Sequence, residues 1–240
     1  MTMSGNGFAD DVHEPPPVYC RPRAYGLFAD QLPIIESADG LLNASVAIAM
    51  HEMADADTHA VDMKLQELAD RVSWRSHDTS FQTRLEHVHD LLFDGEGFTG
   101  NSEDYYDPRN SYVPMVLKSK RGIPITLTVI YKSVLHRLDI PVVGINAPGH
   151  FLAGVPLPGE DRMVIIDTFH RGKVLSLDEV FDRIEQSTGQ VVSRSKRLLT
   201  QATHREWLVR MLQNLQLIFG QLNRKADFAA MQELMALLAV

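Results

Sequence analysis

The sequence predicts an α+β fold: a helical N-terminal half, a small antiparallel sheet and a C-terminal helix hairpin. Three observations carry that prediction. Apolar residues recur at helical spacing between Leu41 and Leu92, with Val61, Leu65, Leu68 and Val72 as the clearest stripe. Three short apolar runs, "PVVGINA", "HFLAGVPL" and "MVIIDTF", have strand length and are bounded by turn residues. Residues 205–240 carry two further helical stripes joined by a turn near Asn223. No fixed-period repeat is present, and one hairpin is fewer units than a helical solenoid needs to bury its own core.

The chain has 240 residues, 45% of them apolar, which is enough for a sizeable core. Its net charge of -8 argues against a nucleic-acid partner, since phosphate binding needs clustered Lys and Arg. The clusters "KSKR" at 118–121 and "RSKR" at 194–197 are short and read as solvated faces or helix ends. The single cysteine, Cys20, permits no intrachain disulfide and no multi-cysteine metal site, and points to a reducing compartment. No run approaches the roughly 18 apolar residues of a membrane span, and "MTMSGNGFADDVHEPPPVYCRPR" lacks the apolar core of a signal peptide. Neither membrane insertion nor export is expected, and the default location is the cytoplasm.

Residues 1–24 combine Gly, Pro and charge with little apolar content, so they are expected to form a flexible tail that includes Cys20. Residues 25–200 are read as the main domain and 201–240 as the hairpin. In the domain, "LLNASVAIAMHEM" opens the helical part and the Val61–Val72 stripe follows. Phe81, Leu85, Val88 and Leu92 then repeat its spacing, and Gly95 and Gly97 end that third helix. Asn110 or Ser111 can cap a short helix that begins around Pro114 and ends before Gly122. In "IPITLTVIYKSVLHRLDI", Leu127, Ile130, Val134 and Leu138 face one way and Thr128, Lys132 and Arg137 face others, which predicts a helix packed on one side. After the strands, Ser176 and Glu179 form an S-x-x-E capping box at the head of another helix. In the hairpin, Leu208, Met211, Leu212, Leu215, Ile218 and Phe219 share one stripe. The last helix, "FAAMQELMALLA", is apolar over much of its circumference, Ala229, Ala230, Met235 and Leu237 included. That breadth predicts a second contact surface, for self-association or a partner.

His150 and Asp167 show the strongest chemical pattern. If Pro158 and Gly159 centre a symmetric hairpin, facing residues have numbers that sum to 317, as those of His150 and Asp167 do. Opposed Cβ atoms stand about 4.5–5.5 Å apart, so the carboxylate can accept from the imidazole. That is two thirds of a nucleophilic triad. Nearby, "DYYDPRNS" supplies Asp107 and Asn110, which can cap turns and are expected with Tyr105 to line the same cleft, while Tyr106 and Arg109 are read at its rim. His87 and His89 in "HVHD" stand two apart on a helix and face different ways, so no metal is expected there. No cofactor is expected.

The strings "GIPITL", "GINAPGHFL" and "IDTF", within residues 98–172, together resemble the transglutaminase-like domain of bacterial SirB-type regulatory proteins, with weaker likeness in the helices before and the hairpin after. The resemblance implies a papain-like core in which a Cys at a helix start, a His and an Asp follow in that order, the Cys being activated by the helix dipole and the His. His150 matches the family's His and Asp167 its Asp. Asp139, Ile140 and Pro141 resemble the family's "GIPAR"-like turn, and counting back from Asp139 by the family's spacing lands on Pro124. Proline offers neither a nucleophile nor an N–H for an oxyanion. Thr126, two positions on, is turned by about 200° around a helix and points away from the face of Pro124.

The expected function is a non-catalytic transglutaminase-like module, a regulatory pseudoenzyme whose cleft around His150, Asp167, Pro124 and Gly149 takes a protein or peptide. One alternative is a hydrolase or acyltransferase with His150 as base and Thr126 or a bound water as nucleophile. Another is a structural scaffold built on the tetratricopeptide-like helices that the resemblance implies, of which this sequence holds one hairpin. The plainest reading of His150 and Asp167 is a satisfied polar pair that keeps two strands in register.

Overall fold

The computed structural model describes residues 17–75 and 80–239. Along the described residues run α1 (Pro22–Gln31), α2 (Ala38–Met50), α3 (Thr58–Arg75), α4 (Phe81–His89), β1 (Thr99–Gly100), α5 (Val113–Ser119), β2 (Arg121–Gly122), α6 (Pro124–His136), β3 (Val143–Ala147), β4 (His150–Pro156), β5 (Met163–Asp167), β6 (Lys173–Leu175), α7 (Leu177–Thr188), β7 (Thr200–Ala202), α8 (His204–Gln221) and α9 (Lys225–Leu237). The fold is α+β. An antiparallel sheet in the order β6-β5-β4-β3-β7 carries the three strands read from sequence plus two three-residue edge strands, while β1 and β2 form a short parallel pair. No helix of the described residues is long and apolar enough to cross a membrane.

The expected tail lies outside the described residues up to position 16; from there the chain is anchored. The Glu233 carboxylate of α9 accepts the backbone N–H groups of Val18 (2.8 Å), Tyr19 (3.1 Å) and Cys20 (2.7 Å). Cys20 is 3% exposed, and burial pushes its thiol up to about 12. It is therefore a core residue rather than part of a tail, and α1 follows two residues later.

Helix α6 is buried nearly all round, not on one side. It packs against α2, α3, α5, α8 and β4. Thr128 and Lys132 misled the periodicity because they are satisfied inside: Thr128 Oγ1 donates back to the Pro124 carbonyl (2.8 Å) and meets Thr168 Oγ1 (2.9 Å). Lys132 Nζ donates to the Val142 carbonyl (2.6 Å). The cap of α5 also differs from the expectation. Tyr112 holds the position with no side-chain bond, while Asn110 and Ser111 sit in a preceding 3-10 turn. The third helix, α4, ends in a wide π-turn over Asp90–Gly95 that buries Leu91, Leu92 and Phe93 together. The Ser176–Glu179 capping box is present at α7.

The last two helices belong to the core. Trp207, Leu208, Met211, Leu212, Leu215 and Phe219 of α8 and Ala230, Met231, Leu234 and Leu237 of α9 are buried within the chain, and Met235 packs half-buried against the same core. The apolar breadth of α9 is thus used by this domain and lends self-association no support. Trp207 packs edge-on against Phe151, ring centroids 4.8 Å apart, and lies over Gly144 of β3. A Cβ on Gly144 would overlap the indole. Gly144→Ala is expected to cost about 1–3 kcal/mol of overpacking and to lower the melting temperature by several degrees; an unchanged thermal melt would show that the indole can move aside.

Candidate functional site

The hairpin that carries the site has a register two residues away from the symmetric one. Observed partners run from Ala153 with Ile166 to Pro156 with Met163, and their numbers sum to 319. The turn is longer than a two-residue one, closed by Leu157 N–H donating to the Arg162 carbonyl (2.9 Å). His150 and Asp167 are therefore diagonal rather than direct neighbours. Because side chains alternate faces with a period of two, a two-residue shift leaves both on one face, whereas a one-residue shift would have parted them.

They meet across that diagonal. His150 Nε2 lies 3.1 Å from Asp167 Oδ1, and the two residues are 7% and 0% exposed. Asp167 is saturated. Its Oδ1 also accepts the N–H groups of Phe169 (3.1 Å) and His170 (3.2 Å), and its Oδ2 faces His170 Nδ1 at 2.7 Å and Arg183 Nε at 3.4 Å. Burial alone would raise the Asp167 carboxyl, but the hydrogen bonds and charge of His150 and His170 outweigh it and hold the group far below the usual carboxylate range. With Nε2 turned to Asp167, His150 Nδ1 has no hydrogen-bond partner among the described residues.

This ring lines a cleft of about 460 Å³ together with Tyr105, Pro124, Gly149, Phe169, His170 and Arg183. Helices α6 and α7, strand β4, the Gly149 turn, the loop with Tyr105 and the turn with Phe169 and His170 build it. Pro124 is the first residue of α6, suited to that place because its missing N–H has no intrahelical partner there anyway. Gly149, at φ +68°, makes the turn that starts β4 at His150. Arg183 projects from α7. The Tyr105 ring stands edge-on to Phe169, centroids 6.0 Å apart.

The other expected residues stand elsewhere. Asn110 is buried behind the wall, where its amide donates to the carbonyls of Asp104 (2.6 Å) and Tyr105 (3.3 Å) and so braces the loop that holds Tyr105. Asp107 caps a turn by accepting Arg109 N–H (2.9 Å) and is off the cleft. Thr126 is fully buried away from the wall, its hydroxyl without a partner. His89 bonds Tyr131 (2.8 Å) inside the core, where burial lowers its imidazole.

Sequence reasoning missed His170 and Arg183. His170 stands three residues after Asp167 in "IDTFHRG" and was findable there; Arg183 comes from a separate helix with no local signal. His150, Asp167 and His170 bring three ligand-type atoms within 4.8 Å of one another. However, Arg183 sets a fixed positive charge beside the same carboxylate, which opposes a cation there.

The sequence model of the Transglutaminase-like superfamily matches residues 59–213. The UPF0162 protein of Xylella fastidiosa (strain 9a5c) is 35% identical over 188 residues, covering 77% of this chain and 66% of that protein. The UPF0162 protein of Vibrio cholerae is 32% identical over 100 residues, 42% of this chain and 36% of the relative. Human F-box only protein 21 is 34% identical over 102 residues, 40% of this chain and 16% of the relative. The chain thus spans about 66% of the length of the Xylella relative. No solved structure matches it.

Proposed function

The chain belongs to the transglutaminase-like superfamily, and from that membership we propose that it is a non-catalytic, SirB-type regulatory module whose cleft binds a protein or peptide segment without breaking a bond. The reading rests on Pro124. The chemistry implied by the resemblance needs a thiol at the head of the helix facing the histidine, and the first residue of α6, on the wall that His150 shares, is a proline. It can neither attack a carbonyl nor offer an N–H to an oxyanion. The chain's one thiol, Cys20, is buried and held protonated, so it supplies no thiolate. Ser187, on the cleft wall, donates its hydroxyl to the Ile184 carbonyl at 3.1 Å and is turned to its own helix.

Purified protein is expected to show no amine transfer to, and no hydrolysis of, a glutamine-containing peptide above the level of a His150→Ala variant. The paired His150 and Asp167 favour one competing reading, a hydrolase that activates a bound water. Turnover by the wild type that disappears in His150→Ala would replace the binding module with that enzyme. The scaffold reading has less support, because α8 and α9 turn their apolar faces to the domain itself.

A further inference from the structure

We infer that the cleft takes a carboxylate of a peptide partner, either an acidic side chain or a chain terminus. The inference rests on the cleft being a binding site and adds the chemistry of what it binds. The cleft carries one fixed positive charge, Arg183, and among the described residues that line it none is Asp or Glu. Asp167, beneath the wall, has its oxygens occupied and its charge met by Arg183.

Arg183 has a donor to spare, and two imidazoles around the cleft each keep one ring nitrogen unpaired. Arg183 uses Nε on Asp167 and Nη1 on Gln186 Oε1 (3.2 Å), and its Nη2 has no partner among the described residues. The half-exposed His170 is bonded through Nδ1, which leaves Nε2 free to face the cleft. His150 is more than nine-tenths buried with Nδ1 unpartnered on the wall. A charged acceptor forms roughly twice as strong a bond as a neutral one. The positive end of α6 also begins at Pro124 on this wall. The last turn of α7 opposes it, but the Ile184 and Glu185 carbonyls there already accept from Ser187, Thr188 and Gly189. A cationic ligand would meet Arg183 and two imidazoles with no free carboxylate.

The geometry also fixes a proton. With Nε2–H given to Asp167, His150 shows a lone pair to the cleft when neutral and an N–H when charged. A bound carboxylate therefore selects the ring protonated at Nδ1. The titratable and charged groups around that ring are Asp167, His170, Arg183 and Tyr105.

The test is a side-chain imidazole 1H–15N NMR titration of the full chain with N-acetylglutamic acid α-amide, its glutamine counterpart, N-acetylalanine and inorganic phosphate. The glutamate probe is expected to move the His150 and His170 resonances saturably and to shift His150 Nδ1 toward its protonated value. The glutamine probe should bind at least about tenfold more weakly, ~1.4 kcal/mol. Arg183→Gln should lose a similar factor and Arg183→Lys less, with backbone spectra reporting that each variant is folded. If Arg183→Gln does not fold, the probe comparison on the wild type still decides. Stronger response to N-acetylalanine than to the glutamate probe assigns a chain terminus; the reverse assigns an acidic side chain. Equal or tighter binding of the glutamine probe, a response to phosphate alone, or no response to either carboxylate at the tens-of-millimolar level overturns the inference. Conversion of the glutamine probe to glutamate in the tube would overturn the non-catalytic reading instead.

Discussion

A chain ending at residue 223 is expected not to fold. Helix α9 buries Met231, Leu234 and Leu237, worth roughly 5–9 kcal/mol together at about 1.5–3 kcal/mol each. A domain of ordinary stability has about 5–15 kcal/mol in total. The loss does not stop there, because the face of α8 that α9 covers would be opened to water. Arg224, just before α9, bonds Glu52 Oε1 (2.5 Å), and Glu52 Oε2 in turn accepts the Tyr112 hydroxyl (2.5 Å). Asp227 pairs with His51 (2.9 Å), and Glu233 holds the backbone before α1. Truncation would therefore strip partners from the segment after α2, His51 and Glu52, and from the backbone before α1. Circular dichroism should show no cooperative thermal transition in the shortened chain. Leu234→Ala gives a milder form of the same test, expected to cost about 2–5 kcal/mol. A truncated protein that melts cooperatively close to the intact one would mean that α9 is an appendage after all.

That result bears on how much of the fold is legible in the sequence. Periodicity locates α3, α8 and α9 because each keeps a buried apolar stripe beside polar residues. It does not tell whether residues beyond the stripe meet the same domain or another chain, and in α9 Ala230 and Leu237, which widen the apolar face, are buried against this domain. Helix α6 shows the converse. Thr128 and Lys132 look solvent-facing, yet their polar atoms are satisfied by Pro124, Thr168 and Val142, partners that only the fold brings close. The edge strands β6 and β7 are three residues each, too short for an alternating pattern to stand out. At the site, the hairpin arithmetic finds the face shared by His150 and Asp167 although the register is two residues off, since face depends only on whether the shift is even. The ring of donors around Asp167 was less legible. His170 is local to "IDTF", but Arg183 comes from α7 and only tertiary packing puts it beside the carboxylate.

Asp167→Asn is expected to destabilise the domain by about 3 kcal/mol or more, since removing one partner of a buried charge pair typically costs about 3–5 kcal/mol and Arg183 is only partly buried. The amide cannot replace the carboxylate in either orientation. Turned one way, its NH2 faces the donors that now meet Oδ1: His150 and the N–H groups of Phe169 and His170. Turned the other, it faces Arg183 and His170 at Oδ2; His170 can offer a lone pair instead, but Arg183 cannot. The substitution should also change how stability depends on pH. The folded carboxyl of Asp167 is held far below its unfolded value, so between the two the unfolded chain binds more protons and stability rises with pH. Its contribution is therefore complete above the ordinary carboxylate value of about 3.9 and is lost progressively as pH falls below it. Urea unfolding of the wild type and the variant should show a gap that narrows as the solution is taken from about pH 5 to more acidic values. A gap of unchanged size at about pH 3 would mean that the carboxyl is not held low in the fold, and that His150 and His170 are neighbours of Asp167 without being bound by its charge.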